Sequence, residues 1–75
     1  MKYADVHKTV VTEHISLWFQ AREVSIDGDY DIEDVELVSV EILGIEYSAI
    51  DLPPKMVDSF LEHFADSDDA EWEYI

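Results

Sequence analysis

Residues 15 to 22, "ISLWFQAR", put Ile15, Leu17, Phe19 and Ala21 on one side of an extended chain and Ser16, Trp18, Gln20 and Arg22 on the other. Successive side chains of a strand point to opposite faces, so this alternation predicts one long strand over residues 9 to 26 with a single apolar face. Asp27-Gly28 follows directly. That dipeptide favours a two-residue type I′ turn, whose central residues both need positive φ, and therefore a hairpin. In the returning stretch "VELVSVEIL", residues 35 to 43, Val38, Val40 and Ile42 share one parity while Val35 and Leu37 share the other. Either this strand is apolar on both faces at its start, or a bulge near Val38 and Ser39 switches the face. Because four of the six residues 29 to 34 are acidic, a loop spanning 27 to 34 is an equal alternative to the tight turn, with a different register.

Gly44 interrupts the apolar pattern, and "IEYSAI", residues 45 to 50, predicts a short third strand after a tight turn. Asp51 stands where it would cap the next element. "DLPPKMVDSFLEHFADS" opens with prolines tolerated in a first helical turn, then spaces Met56, Val57, Phe60, Leu61 and Phe64 along one helical face. A helix over residues 53 to 65 results, with Lys55, Asp58, Glu62, His63 and Asp66 outward. The expected fold is α+β: an antiparallel hairpin extended to a small sheet of three or four strands, with one C-terminal amphipathic helix packed on one face. Residues 1 to 66 form the compact domain. Residues 67 to 75 form an acidic aromatic tail, either loose or docking Trp72, Tyr74 and Ile75 as a last short strand.

A chain of 75 residues buries only roughly 60% of its unfolded surface, which leaves little room for a deep, dry active site. Cysteine is absent, removing disulfides, thiolate zinc sites and thiol catalysis together. No apolar run approaches the roughly 20 residues of a membrane span, and "MKYADVHKTVV" lacks the apolar centre of a signal peptide. A soluble, cytoplasmic protein is expected.

Charge is the most informative property. Asp5, Glu13 and Glu23 balance Lys2, Lys8 and Arg22, so the whole net charge of -15 lies beyond residue 26, where Lys55 faces sixteen carboxylates. Such crowding costs stability through self-repulsion. An ordinary soluble surface mixes both signs.

The stretch "SIDGDYDIEDVE", residues 25 to 36, is acidic at half its positions and invites comparison with an EF-hand loop. With Asp27, Asp29 and Asp31 at loop positions 1, 3 and 5, the required glycine is Ile32 and the closing bidentate carboxylate is Val38, so the pattern fails. No two of His7, His14 and His63 have helical metal-ligand spacing, and the serines lack a nucleophile-elbow pattern. No enzyme, metal or cofactor is expected. Direct nucleic-acid binding is disfavoured with four basic residues.

The converse role fits better. Carboxylates two apart on a strand lie roughly 6.6 Å apart, and four apart on a helix about 6 Å, spacings that can imitate a phosphate backbone. Asp27, Asp29, Asp31, Glu33, Asp34 and Glu36 form one array; Asp58, Glu62, Asp66, Asp68 and Asp69 form a second. If hairpin tip and outer helix face lie on one side, the two make adjoining rows that a basic channel would accept as substrate. Trp18, opposite in parity to Phe19, is expected on the face away from the helix as a contact residue.

The order of acidic strand, glycine turn, short strand, Leu-Pro and amphipathic helix in "DVELVSVEILGIEYSAIDLPPKMVDSFLEHF", residues 34 to 64, resembles small acidic bacteriophage accessory proteins. The resemblance implies a phage or mobile-element origin and a role in evading host defence, as in anti-restriction or anti-CRISPR proteins. The expected function is stoichiometric inhibition of a nucleic-acid-binding host protein (a nuclease, restriction or CRISPR effector, polymerase or repair enzyme) by a DNA-mimicking acidic surface. The alternative is a non-enzymatic phage structural or assembly protein, or an acidic adaptor for a basic partner. The partner expected is a protein with a basic nucleic-acid-binding channel, with no direct nucleic-acid or membrane contact, met by a monomer or homodimer.

Overall fold

The computed structural model describes residues 2–65 and 70–75. Its elements run β1 (Lys2–Val11), β2 (Ile15–Ile26), β3 (Asp29–Ile42), β4 (Ile45–Ser48), a 3-10 turn (Ala49–Asp51), α1 (Pro54–Phe64) and β5 (Glu73–Tyr74). The strands form one antiparallel sheet in the order β4-β3-β2-β1-β5. The class is α+β with one helix, as the patterning predicts. The sheet has five strands instead of three or four, and the helix precedes the last strand.

The extra strand comes from dividing the first. A strand running unbroken from Thr9 is not what forms: residues 12 to 14 turn the chain, and β1 pairs with β2 from Lys2↔Ser25 to Val11↔Ser16. Thr12 closes this turn, its N–H donating to the Ile15 carbonyl at 2.8 Å and its hydroxyl exchanging hydrogen bonds with the Ile15 backbone. No Gly, Pro or Asn marks the site, and β-branched residues flank it on both sides.

At the next corner Ile26 pairs with Asp29, leaving a two-residue turn with Asp27 at φ 51° and Gly28 at φ 90°. This is the tight turn, not the loop over 27 to 34, so the acidic residues from Asp29 onward belong to a strand. Leu43 and Gly44, also at positive φ, make a similar turn between Ile42 and Ile45. The parity switch in β3 is a bulge: Trp18 opposes Ser39 and Phe19 opposes Leu37, so Val38 is the extra residue and both Leu37 and Val40 turn inward. A second irregularity lies between Gln20↔Glu36 and Arg22↔Glu33, where Asp34 takes φ 55°. Bulges bend and twist a strand.

One face of the sheet is covered by α1. Val10, Leu17, Phe19, Leu37, Val40 and Ala65 form the buried cluster, against which Val57, Phe60, Leu61 and Phe64 pack. Phe60 and Phe64 meet with ring centroids 6.1 Å apart. Met56, placed on the apolar stripe by spacing, is 40% exposed. Asp51 does not cap the helix; it lies in the 3-10 turn, and Pro53 is the N-cap residue with no side-chain bond.

Lys8 occupies an inward position of β1, opposite Phe19, and is 4% exposed. Its Nζ donates to the Ala65 carbonyl at 2.8 Å and lies 5.5 Å from the Trp72 ring centroid. A buried ammonium thus meets the negative end of the helix and an aromatic face. Beyond the helix, Tyr74 pairs with Val6 and Glu73 with His7, so of the two alternatives for the tail, loose or docked as a last short strand, the strand is the one that forms. Among the described residues no helix is long and apolar enough to cross a membrane.

Candidate partner-binding face

Register determines which side chains share the face that α1 leaves open. In directly paired antiparallel residues both side chains point the same way. Phe19 and Leu17 point to the helix, so Trp18 and the even-numbered positions of β2 point away from it. Their partners follow: Asp29 beside Ile26, Asp31 beside Val24, Glu33 beside Arg22, Glu36 beside Gln20, and Glu41 beside Ser16. β1 adds Asp5, opposite Arg22; β4 adds Glu46, opposite Glu41; β5 adds Glu73, opposite His7. The carboxylates of β3 and β4 on this face are all exposed.

Arg22 is the cation among them. Its guanidinium lies 5.3 Å from the Tyr3 ring centroid and 3.7 Å from an Asp34 carboxylate oxygen. The second bulge brings Asp34 into that contact, and with Asp5, Gln20 and Glu36 these groups line a shallow groove of about 360 Å³. His7 and Glu73 approach to 3.9 Å at the opposite edge. Arg22, directly opposite Glu33 and 3.7 Å from Asp34, therefore offsets part of the charge locally, and Asp29 and Asp31 beyond it retain theirs.

The two arrays foreseen in the sequence part company here. Asp29, Asp31, Glu33 and Glu36 lie on the open face, Asp34 reaches it from the bulge, and Asp27 sits in the turn at its end. Asp58 and Glu62 are exposed on α1, which packs against the other face, so they point away from the sheet on the opposite side of the molecule. Hairpin and helix carboxylates do not make adjoining rows. Asp66, Asp68 and Asp69 lie outside the described residues. Trp18 is on the open face and 38% exposed.

Asp5, Glu41, Glu46 and Glu73 also belong to this face, although the density of the 27 to 36 stretch drew attention elsewhere. Strand parity alone was enough to place Glu41, once the bulge at Val38 is known. Asp5 and Glu73 required the pairing of β1 with β2 and β5.

The distal half of the helix-side face, beyond α1, holds a different arrangement. Tyr74 donates its hydroxyl to Glu23 Oε1 at 2.6 Å beside Tyr30 and Ala4. The hydrogen bond to the Glu23 carboxylate, and then its charge, raise the Tyr74 pKa above the usual phenol range. Among the described residues no three His, Asp or Glu side chains are grouped to hold a metal ion. The geometry offers an exposed, pre-ordered acidic sheet with an aromatic residue in it, suited to contact with a basic surface. Comparison with protein-family models, curated proteins and solved structures gave no match.

Proposed function

We propose that this chain is a stoichiometric inhibitor of a nucleic-acid-binding protein, offering the open-face carboxylates of β3 where phosphates would bind. The observation behind this is the run Asp29, Asp31, Glu33, Asp34 and Glu36, all exposed, in the first half of one strand. At strand rise these five groups extend over about 24 Å, with neighbours on average roughly 6 Å apart. A DNA strand presents one phosphate per about 3.4 Å of rise. The array thus carries roughly half the linear charge of a single strand and falls well short of a duplex. Being held in a sheet, it needs little ordering on binding. Suitable targets are proteins whose channels hold one strand at close range, as nucleases, restriction or CRISPR effectors, polymerases and repair enzymes do.

Association would be fast and salt-sensitive, as for other strongly charged pairs. Retention of proteins from a bacterial lysate at low and high salt, with mass spectrometry, identifies the target. Single-stranded and duplex DNA are then competed against the purified pair. D29K/D31K/E33K is expected to abolish binding, whereas D58K/E62K, on the opposite side, should leave most of it. Binding that survives about 1 M salt and resists displacement by DNA would refute the proposal, because screening at that strength reduces the Debye length to about 3 Å. The rival function, an assembly protein or acidic adaptor, is favoured by the exposure of Trp18 within the same face. Loss of binding in Trp18 variants with no effect of D29K/D31K/E33K would support it.

A further inference from the structure

Trp18 lies in a row with Ser39 of β3 and Ser48 of β4, and the next row toward the β3–β4 turn is Ser16, Glu41 and Glu46. The two serines are short, so shallow depressions open on either side of the indole. One, of about 380 Å³, is bounded by Trp18, Val38, Ser39, Glu46 and Ser48. The other, of about 190 Å³, is bounded by Thr9, Ser16, Trp18 and Glu41 among others. Both place a carboxylate beside the ring.

Two features show what this surface lacks. Glu41 and Glu46 are direct cross-strand partners, and like charges in that relation destabilise a sheet. Elsewhere the chain covers aromatic faces with its own cations, Lys8 over Trp72 and Arg22 over Tyr3. Among the described residues no cation lies over Trp18. A cation from another molecule would relieve the Glu41–Glu46 repulsion and stack on the indole together. Guanidinium suits both contacts better than ammonium, because it is planar, more weakly hydrated and forked toward carboxylates.

We infer that Trp18, Glu41 and Glu46 form an anchor for an arginine side chain of a basic protein partner. The inference rests on the open face being a surface for such a protein, and it does not require that the partner bind nucleic acid. It separates two parts of one face: a distal carboxylate run that supplies long-range attraction, and a proximal aromatic site that selects arginine.

The test uses the isotope-labelled chain titrated with amidated hexa-arginine and hexa-lysine peptides at about 0.15 M salt, where the Debye length is about 8 Å. Hexa-arginine should bind more tightly, by at most the about 2- to 5-fold that a whole exposed cation–π contact is worth. The Trp18 indole N–H resonance should shift the most. W18L should remove the preference while leaving the remaining spectrum folded, and E41Q/E46Q should reduce it. D29N/D31N/E33N should weaken both peptides alike. Equal affinities, a preference that persists in W18L, or binding by neither peptide would overturn the anchor. If the arginine preference holds and DNA fails to compete for the target, the phosphate-mimic proposal falls and the anchor stands. If DNA competes and W18L changes nothing, the reverse follows.

Discussion

Replacing Lys8 with Met tests the least ordinary contact in the core. Methionine retains most of the side-chain stem and volume but removes the ammonium that donates to Ala65 at 2.8 Å and faces Trp72. A hydrogen bond from a charged group is worth about 1.5–3 kcal/mol, and a cation–π contact about 0.5–1 kcal/mol or more when dry. Ala65 is only 6% exposed, so its carbonyl would stay behind with poor access to water. Against these losses, the variant escapes the desolvation of a buried charge, which can rival the whole gain. With the carbonyl left unpaired, the loss wins, and K8M is expected to be about 2 kcal/mol less stable. For a domain of this size that lowers the melting temperature by roughly 8–16 °C. Urea unfolding followed by circular dichroism measures the difference, with K55M, at an exposed position, as a control expected within about 0.5 kcal/mol of the parent. A K8M chain as stable as the parent, or more so, would refute the reasoning and show that the ammonium is retained at a net cost.

The remaining predictions concern the surface and the turns. Gly28 has open space around the position of a Cβ but φ near 90°, so G28A should cost about 1–2 kcal/mol from backbone strain alone, seen as a lower urea midpoint with unchanged m. Because its hydroxyl donates to Glu23, Tyr74 has a raised pKa; the folded state is favoured by the neutral phenol, fully below the unfolded value of about 10 and progressively less as pH climbs through the folded value. Ultraviolet titration should show one phenol lagging the others, and Y74F should remove that lag; simultaneous titration of all four would count against the bond. Finally, raising salt from about 0.02 M to 0.5 M should increase stability, since screening relieves the repulsion of a chain at -15. A midpoint that falls with salt would mean that local pairs such as Arg22–Asp34 outweigh the general repulsion.

Much of the sheet was legible where a local rule and the tertiary fold agree. Asp27-Gly28 and Gly44 mark turns because positive φ is needed there, and the parity change between Leu37 and Val40 signals the bulge at Val38. The turn at 12 to 14 escaped because it is closed by a threonine hydroxyl amid β-forming residues. β1 escaped with it: Lys8 interrupts the inward series Val6, Val10 with a charge whose burial depends on the helix end and Trp72, both more than fifty residues away. β5 has two residues, too few for any period. At the candidate site, the acidic run and the outward parity of Trp18 could be read directly. The separation of Asp58 and Glu62 from the hairpin carboxylates could not, because it depends on which face of the sheet receives α1, and alternation is indifferent to that choice.

The helix lies beneath only part of the β2–β3 hairpin. Its buried cluster reaches Phe19 and Leu37, while the pairs from Arg22↔Glu33 to Ile26↔Asp29 extend past it along a molecule 42 Å in its longest dimension. Backbone amides should therefore exchange with solvent along a gradient within single strands, slowest near Leu17 and Val40 and fastest toward Gly28, as the outer turns of the hairpin open without global unfolding. The run Asp29, Asp31 and Glu33 thus lies beyond the reach of the helix, on a part of the hairpin whose order comes from pairing with β1, from the buried Val24 side chain and from the Tyr74–Glu23 hydrogen bond.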